Sequence, residues 1–177
     1  MISFVSQSSG DNVIRTKSHW ALITLLIVIN AGCGNEVRMD KAVGKEDALV
    51  TKRLQVLDAF AEAWNRHDID ALMSMMTEDC VFEASGGPGV NGERFEGQEM
   101  VRQAFLDVFA QYPDAHWGAA THFVQGDLGV SQWTFTGTRA DGSKVEVNGC
   151  DFLTFRGEKI AIKDSYRKDR PSIPPSN

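Results

Sequence analysis

The chain lacks several features that mark whole classes of protein. Its 177 residues include only three cysteines and five prolines, and acidic residues outnumber basic ones by 24 to 18. An acidic chain without a basic stripe argues against nucleic acid, because that affinity comes chiefly from Lys and Arg on phosphates. The sequence has no zinc-ligand spacing, no phosphate-binding glycine loop and no Gly-x-Ser-x-Gly motif. We therefore expect no metal, no cofactor and no nucleic-acid partner.

A long apolar run is also missing. Residues 20–29 carry no charge, but a membrane helix needs about 20 apolar residues. Arg15 and Lys17 precede this segment and Ala31-Gly32-Cys33 follows it, which is the order of a secretory signal. A cysteine after two small residues predicts lipidation of Cys33 and a membrane anchor in the cell envelope. The alternatives are plain secretion into the periplasm and, if translation starts at Met39, a cytoplasmic protein.

The composition divides the chain into four segments. Residues 1–32 form the predicted signal peptide, and residues 33–48, charged and poor in apolar side chains, form a tether. Residues 49–168 are the folded domain, which is long enough for one core. Residues 169–177 contain three prolines and are predicted to be a disordered tail.

Helical periodicity is confined to the first half of the domain. Apolar residues at three- and four-residue steps predict an amphipathic helix between about residues 49 and 64. Asp68 can cap a short second helix. Residues 98–111 form a third helix, which ends before Pro113. Between the second and third helices, residues 80–84 are a strand candidate.

After Pro113 the pattern changes to period two, which indicates strands. The predicted strands cover residues 115–125, 128–140, 143–155 and 159–167, and Asp141-Gly142 supplies a hairpin turn. Helices first and antiparallel strands afterwards predict an α+β fold. In this fold, three N-terminal helices pack in the concave face of a curved, mostly antiparallel sheet.

Asp151 lies in mid-strand among apolar neighbours. An ionised acid that is buried without a partner costs several kcal/mol or more, so such a residue is usually protonated, paired or on the solvent face. Only the protonated form can donate a proton at neutral pH. Gly149 and Leu153, two positions away on either side, suit a cavity wall, and Gly149 leaves room for a ligand. The alternative is a structural hydrogen bond inside the domain.

The last strand has two possible phases, in which the inward pair is either Asp164 and Tyr166 or Lys163 and Ser165. The isoleucines earlier in the strand favour the first phase. In that phase Asp164 lines a ligand cavity, and Tyr166 lies near Asp151 as a hydrogen-bond donor.

Three further positions are candidates for the cavity. His122 either takes part in acid/base chemistry or is a half-buried histidine with satisfied hydrogen bonds. Trp133 and Phe135 share one strand face, where they either stack on a ligand or pack the core. Cys80 and Cys150 would face opposite sides of the sheet, so we expect free thiols rather than a disulfide.

Four sequence stretches, residues 63–72, 76–82, 95–101 and 149–160, resemble the SnoaL-like branch of the nuclear transport factor 2-like superfamily. The resemblance covers about residues 50–168. It implies a cystatin-like cone and a homodimer, whose contact could be the outward sheet face around Phe152. This fold hosts isomerases, cyclases, dehydratases, epoxide hydrolases and non-catalytic binders, so the resemblance alone does not fix a function.

The ketosteroid isomerase branch allows a comparison by position. Asp151 falls where those enzymes keep a protonated aspartic acid in an apolar site. Their tyrosine falls on Phe60, which would line the ligand cavity but cannot donate, and their base falls on Ala84. With two of the three groups missing, we do not expect a ketosteroid isomerase.

In the SnoaL-like cyclases that this chain resembles, one acidic residue in the cavity does the acid/base work. The resemblance therefore implies that Asp151 transfers a proton on a small hydrophobic carbonyl compound. The alternative is a non-catalytic ligand-binding or dimeric interaction module of the same fold.

Overall fold

A computed structural model describes residues 36–175, with side chains from residue 44 onward. The predicted signal, Cys33 and the last two residues lie outside the described part. The elements, in chain order, are α1 (Glu36–Asn65), α2 (Ile69–Ser74), β1 (Met76–Glu83), β2 (Arg94–Glu96), α3 (Gly97–Gln111), β3 (His116–Gln125), β4 (Leu128–Thr138), β5 (Lys144–Arg156) and β6 (Lys159–Arg167).

The helices follow the predicted periodicity. Helix α1 begins at Glu36, within the segment predicted as a tether, and it buries Leu57, Phe60 and Trp64 along one face. Helix α2 is capped as predicted, because Asp68 Oδ1 accepts a hydrogen bond from the backbone N–H of Ala71 at 3.0 Å. No helix of the described residues is both long and apolar enough to cross a membrane.

The strands form one mixed sheet in the order β2-β1-β6-β5-β4-β3. Strands β1 and β6 are parallel, and every other neighbouring pair is antiparallel. The helices pack on this sheet, so the predicted α+β class is confirmed. Strand β2, three residues long, was not predicted.

The main core lies between the helices and the sheet. Leu72, Phe105 and Ile160 are fully buried there, and the rings of Trp64 and Phe105 lie 4.5 Å apart. Leu153 of β5 is 1% exposed and belongs to this core. It lines neither of the two cavities beside Asp151, so its role as a ligand-binding residue stays a prediction.

Arg53 of α1 fastens the helix to two hairpin turns. Its guanidinium, 2% exposed, donates to the carbonyl oxygens of Gly126 at 2.5 Å and Gly157 at 2.8 Å. It also pairs with Asp127 at 2.8 Å. Each of the three guanidinium nitrogens of this buried arginine therefore has a partner at the hairpin turns.

A bulge in β6 reverses the predicted phase of that strand. Thr154 pairs with Ile162 while Phe155 pairs with Ile160, so Ala161 is an extra residue. The residues after the bulge therefore alternate in the opposite sense from the one expected. Lys163 and Ser165 are buried, with Asp164 and Tyr166 on the outer face.

Between residues 169 and 175 the C-terminal tail has no helix or strand, but it is not separate from the domain. Ile173 and Lys144 exchange two backbone hydrogen bonds of 2.8 Å each. The tail therefore differs from the disordered segment that its prolines predicted, at least as far as residue 175.

Candidate active site

Asp151 is buried, and its carboxylate accepts three hydrogen bonds. Lys163 Nζ donates to Oδ1 at 2.7 Å and Ser165 Oγ donates to the same oxygen at 2.6 Å. Trp133 Nε1 donates to Oδ2 at 3.0 Å. Lys163 also donates to Ser165 Oγ at 2.6 Å. We refer to Asp151, Lys163 and Ser165 as the polar cluster.

The polar cluster contains a buried ion pair. The side chains of Lys163 and Asp151 are only 7% and 9% exposed. Three donors surround the carboxyl group, and one of them is an ammonium, so the cluster has the geometry of a paired acid, which is one of the three outcomes that the sequence left open. Lys163 Nζ also lies 5.6 Å and 5.0 Å from the ring centres of Trp64 and Phe82.

Two cavities border the polar cluster, and the larger of these two, about 330 Å³ in volume, is called the larger cavity here. Lys163 and Ser165 line it, and Asp151 lies behind them. Its polar lining also includes Glu93, Asp107 and Arg167, which are exposed to solvent. The remaining wall is mostly aromatic, formed by Trp64, Phe82, Phe95, Tyr112, Trp117, Trp133 and Phe135.

A smaller cavity of about 30 Å³ also borders the cluster, and Asp151 and His122 both line it. His122 Nδ1 is 2.8 Å from Ser131 Oγ, and Nε2 is 3.5 Å from Asp58 Oδ1. Burial lowers the pKa of His122 below 6.5, while the charges of Asp58 and Asp151 act in the opposite direction. The predicted histidine therefore lies near Asp151 but away from the larger cavity.

The positions compared with ketosteroid isomerases do not meet in one cavity. Phe60 is buried in the main core and lines only the smaller cavity. Ala84 lines the larger cavity. Glu83 does not line it and pairs with Arg94 at 2.5 Å. The described residues therefore present neither a phenol nor a carboxylate at these two positions.

Trp133 and Phe135 both line the larger cavity, but Gly149 does not. A Cβ atom on Gly149 would lie 2.2 Å from Cη2 of Trp133. On this face of the sheet, the space left by the glycine is therefore filled by the indole ring that binds Asp151.

Tyr166 and Asp164 lie on the outer face, so their predicted place in the cavity is wrong. Tyr166 Oη donates to Asp164 Oδ2 at 2.9 Å, and this bond to a carboxylate raises the pKa of the phenol. Neither residue contacts Asp151. Lys163 and Ser165 occupy the inward positions that were expected for Asp164 and Tyr166.

The cysteines lie on opposite faces of the sheet, as the strand phase predicted. Cys80 is fully buried and Cys150 is half-buried, and both thiols are free. Burial raises the pKa of each thiol. The residues that the structure describes contain no group of three or more side chains that could hold a metal ion.

Comparison with known proteins agrees with this fold. A family model described as the SnoaL-like domain matches residues 57–162, so the chain belongs to the SnoaL-like domain family. The resemblance inferred from the sequence is confirmed. No curated protein matches the chain.

Solved structures share the nuclear transport factor 2-like fold at low identity. A candidate polyketide cyclase of Xanthomonas campestris is 18% identical, with a TM-score of 0.60, over 66% of this chain and 90% of that one. A candidate isomerase of Bacillus subtilis is 18% identical, with a TM-score of 0.58, over 67% of this chain and 87% of that one. A protein of Catenulispora acidiphila with a ketosteroid isomerase-like fold, solved in complex with trimethylamine, is 20% identical, with a TM-score of 0.56, over 63% of this chain and 83% of that one. These similarities show the fold alone.

Proposed function

We propose that this SnoaL-like protein binds a small, largely apolar carbonyl compound in the larger cavity and transfers a proton on it, as isomerases and cyclases do. The supporting observation is that the polar cluster borders an aromatic-lined cavity of about 330 Å³. That volume lies in the range of small-molecule sites, which combine apolar walls with a few placed polar groups.

Lys163 is suited to bind the carbonyl oxygen. An ammonium group has three N–H donors, and Lys163 directs two of them to Asp151 and Ser165. The third is available to a ligand, because Lys163 lines the cavity. A donor fixed in an apolar site stabilises the negative charge that develops on a carbonyl oxygen when the compound enolises.

Ser165 and Asp151 can receive the proton. As the C–H bond next to the carbonyl breaks, its proton passes to Ser165 Oγ while the Ser165 hydroxyl proton passes to Asp151 Oδ1, 2.6 Å away. The electron pair of that bond becomes the enolate, whose oxygen faces Lys163. Negative charge thus moves from Asp151 to the ligand, and returning the proton to another carbon completes an isomerisation. One placed acid/base group contributes about 10²–10⁴-fold.

The second candidate function is ligand binding without turnover. It is favoured by Phe60 and Ala84, which provide neither a phenol donor nor a base. It is also favoured by the complete hydrogen bonding of Asp151. In this alternative the polar cluster serves only to hold the ligand.

Hydrogen–deuterium exchange separates the two functions without knowledge of the natural substrate. The probe is 2-tetralone, a flat ketone that enolises, and NMR in D₂O follows its protons next to the carbonyl. We expect the wild-type protein to accelerate exchange and Ser165→Ala to lower the acceleration about 100-fold, because the relay is cut while the ion pair remains. The control Ser74→Ala changes an exposed serine outside both cavities and should match the wild type.

Equal exchange rates in Ser165→Ala and Ser74→Ala would contradict the proton path. Binding of the ketone, detected by quenching of the cavity tryptophans, without exchange in any variant would favour the binding function. Absence of both would exclude the larger cavity as a site for such compounds.

We also propose the homodimer and the lipid anchor. The outer sheet face exposes Phe152 and Tyr166, whose rings meet edge to face at 5.6 Å. Sedimentation of the wild type and Phe152→Ser tests whether this face joins two copies. Palmitate labelling of the wild type and Cys33→Ala tests the anchor.

A further inference from the structure

Different members of the polar cluster line the two cavities. Asp151 is covered by donors from Lys163, Ser165 and Trp133 and borders only the smaller cavity. Lys163 also borders the larger cavity, where Asp151 is absent from the lining. The ion pair is therefore a dipole whose positive end, Lys163, borders the larger cavity. Because both side chains are buried, water screens this dipole little and its electrostatic interaction with a ligand is strong.

The aromatic walls favour a flat ligand but disfavour a cation. Aromatic rings stack on planar conjugated groups, and their faces also attract cations. In this cavity the faces of Trp64 and Phe82 are already near a cation, Lys163 Nζ, at 5.6 Å and 5.0 Å. A cationic ligand on these rings would meet the ammonium group at close range.

The acidic residues of the cavity do not reverse this preference. Glu93 and Asp107 are exposed, as is the cationic Arg167, so water and salt screen all three. Lys163 is the buried charge of the lining. The charge that a deeply bound ligand meets is therefore positive.

We infer that the natural ligand is a flat, conjugated compound that carries an oxyanion, held at Lys163. This inference rests on the proposed function and adds the charge of the ligand. A carboxylate and the ionised oxygen of an enol or phenol share the required chemistry, because each accepts a charge-assisted hydrogen bond from an ammonium group.

The test is calorimetric titration with probes that share two fused rings and differ in charge. They are 2-naphthoate, neutral 2-naphthamide, a 2-naphthyltrimethylammonium salt, and 2-hydroxy-1,4-naphthoquinone, which is ionised at neutral pH. We expect at least one of the two anions to bind about tenfold or more tightly than the amide, and the cation not to bind. Which anion binds more tightly identifies the source of the oxyanion.

A neutral replacement of the ion pair tests whether Lys163 causes the preference. In the double variant Asp151→Leu and Lys163→Met both charges are removed together, so no unpaired charge is buried. The ratio of anion to amide affinity should fall to about one. Lys168→Met removes an exposed cation outside both cavities and should keep the wild-type ratio.

The outcomes separate this inference from the proposed function. If the amide or the cation binds as tightly as both anions, or if the double variant keeps the preference, the oxyanion inference is wrong while binding in the cavity stands. If none of the four probes binds and 2-tetralone also fails to bind, the proposed function fails as well.

Discussion

Replacing Asp151 by Asn should destabilise the domain strongly, because it leaves the ammonium of Lys163 buried without its counter-ion. The two side chains are 9% and 7% exposed, so little water can solvate the remaining charge. Removing one partner of such a pair costs about 3–5 kcal/mol. With a urea slope of about 2 kcal/mol per molar, the unfolding midpoint should fall by about 2 M.

The assay is urea unfolding followed by tryptophan fluorescence, with two comparison variants. Asp164→Asn makes the same chemical change one position from Lys163 but on the outer face, and its effect should stay within about 0.5 kcal/mol. In Asp151→Leu with Lys163→Met, the whole pair becomes apolar. That variant should recover most of the loss and end within about 2 kcal/mol of the wild type.

A midpoint that Asp151→Asn shifts no more than Asp164→Asn does would refute a buried, energetically coupled ion pair. Such a result would mean that the pair is hydrated or not formed. A double variant as unstable as Asp151→Asn would show that the loss comes from packing and not from the unpaired charge.

Three further predictions follow from contacts outside the ion pair. Burial lowers the pKa of His122 below 6.5, so at acidic pH the unfolded chain binds a proton on this imidazole more readily than the folded domain does. The free energy of unfolding should therefore fall as the pH drops from about 6.5. His122→Gln should reduce this loss of stability between about pH 7.5 and 5.5, whereas the exposed control His116→Gln should not. Gly149→Ala places a Cβ 2.2 Å from the Trp133 ring and should lower the free energy of unfolding by about 1–3 kcal/mol. The control Gly86→Ala places a Cβ that meets nothing within 4 Å and should leave stability unchanged. Calorimetric melting of both variants measures the difference. Arg53→Leu removes hydrogen bonds to two turn carbonyls and the ion pair with Asp127, and it should lower the free energy of unfolding by about 1–3 kcal/mol. The exposed control Arg66→Leu should lower it by about 0.5 kcal/mol or less, and urea unfolding measures both.

The sequence predicted those elements whose apolar pattern repeats without interruption. Strands β4 and β5 alternate regularly because one face is buried, so the inward direction of Asp151 follows from its neighbours. The same logic failed in β6, because the bulge at Ala161 shifts the alternation by one residue. An alanine within a strand does not by itself indicate a bulge, so nothing in the sequence marks this position as one.

Lys163 was hard to identify because lysine is almost never fully buried unless it is paired. The available clue was Asp151 itself, since a buried acid requires a partner and the neighbouring strand offers this lysine. Strand β2 was missed for another reason. It is three residues long and follows a glycine-rich loop, so its pattern is too short to distinguish from that loop.

Lys163, held in a buried ion pair with Asp151, is the group that we expect to bind an oxyanion in the larger cavity. The direct measurement is the ¹⁵N NMR signal of the Lys163 ammonium group in lysine-labelled protein, assigned by its loss in the double variant Asp151→Leu and Lys163→Met. We predict that this signal shifts when the tighter-binding anion, 2-naphthoate or 2-hydroxy-1,4-naphthoquinone, is bound, and that neutral 2-naphthamide shifts it much less. A Lys163 signal that does not respond to the bound anion, or that responds equally to the amide, would contradict this account.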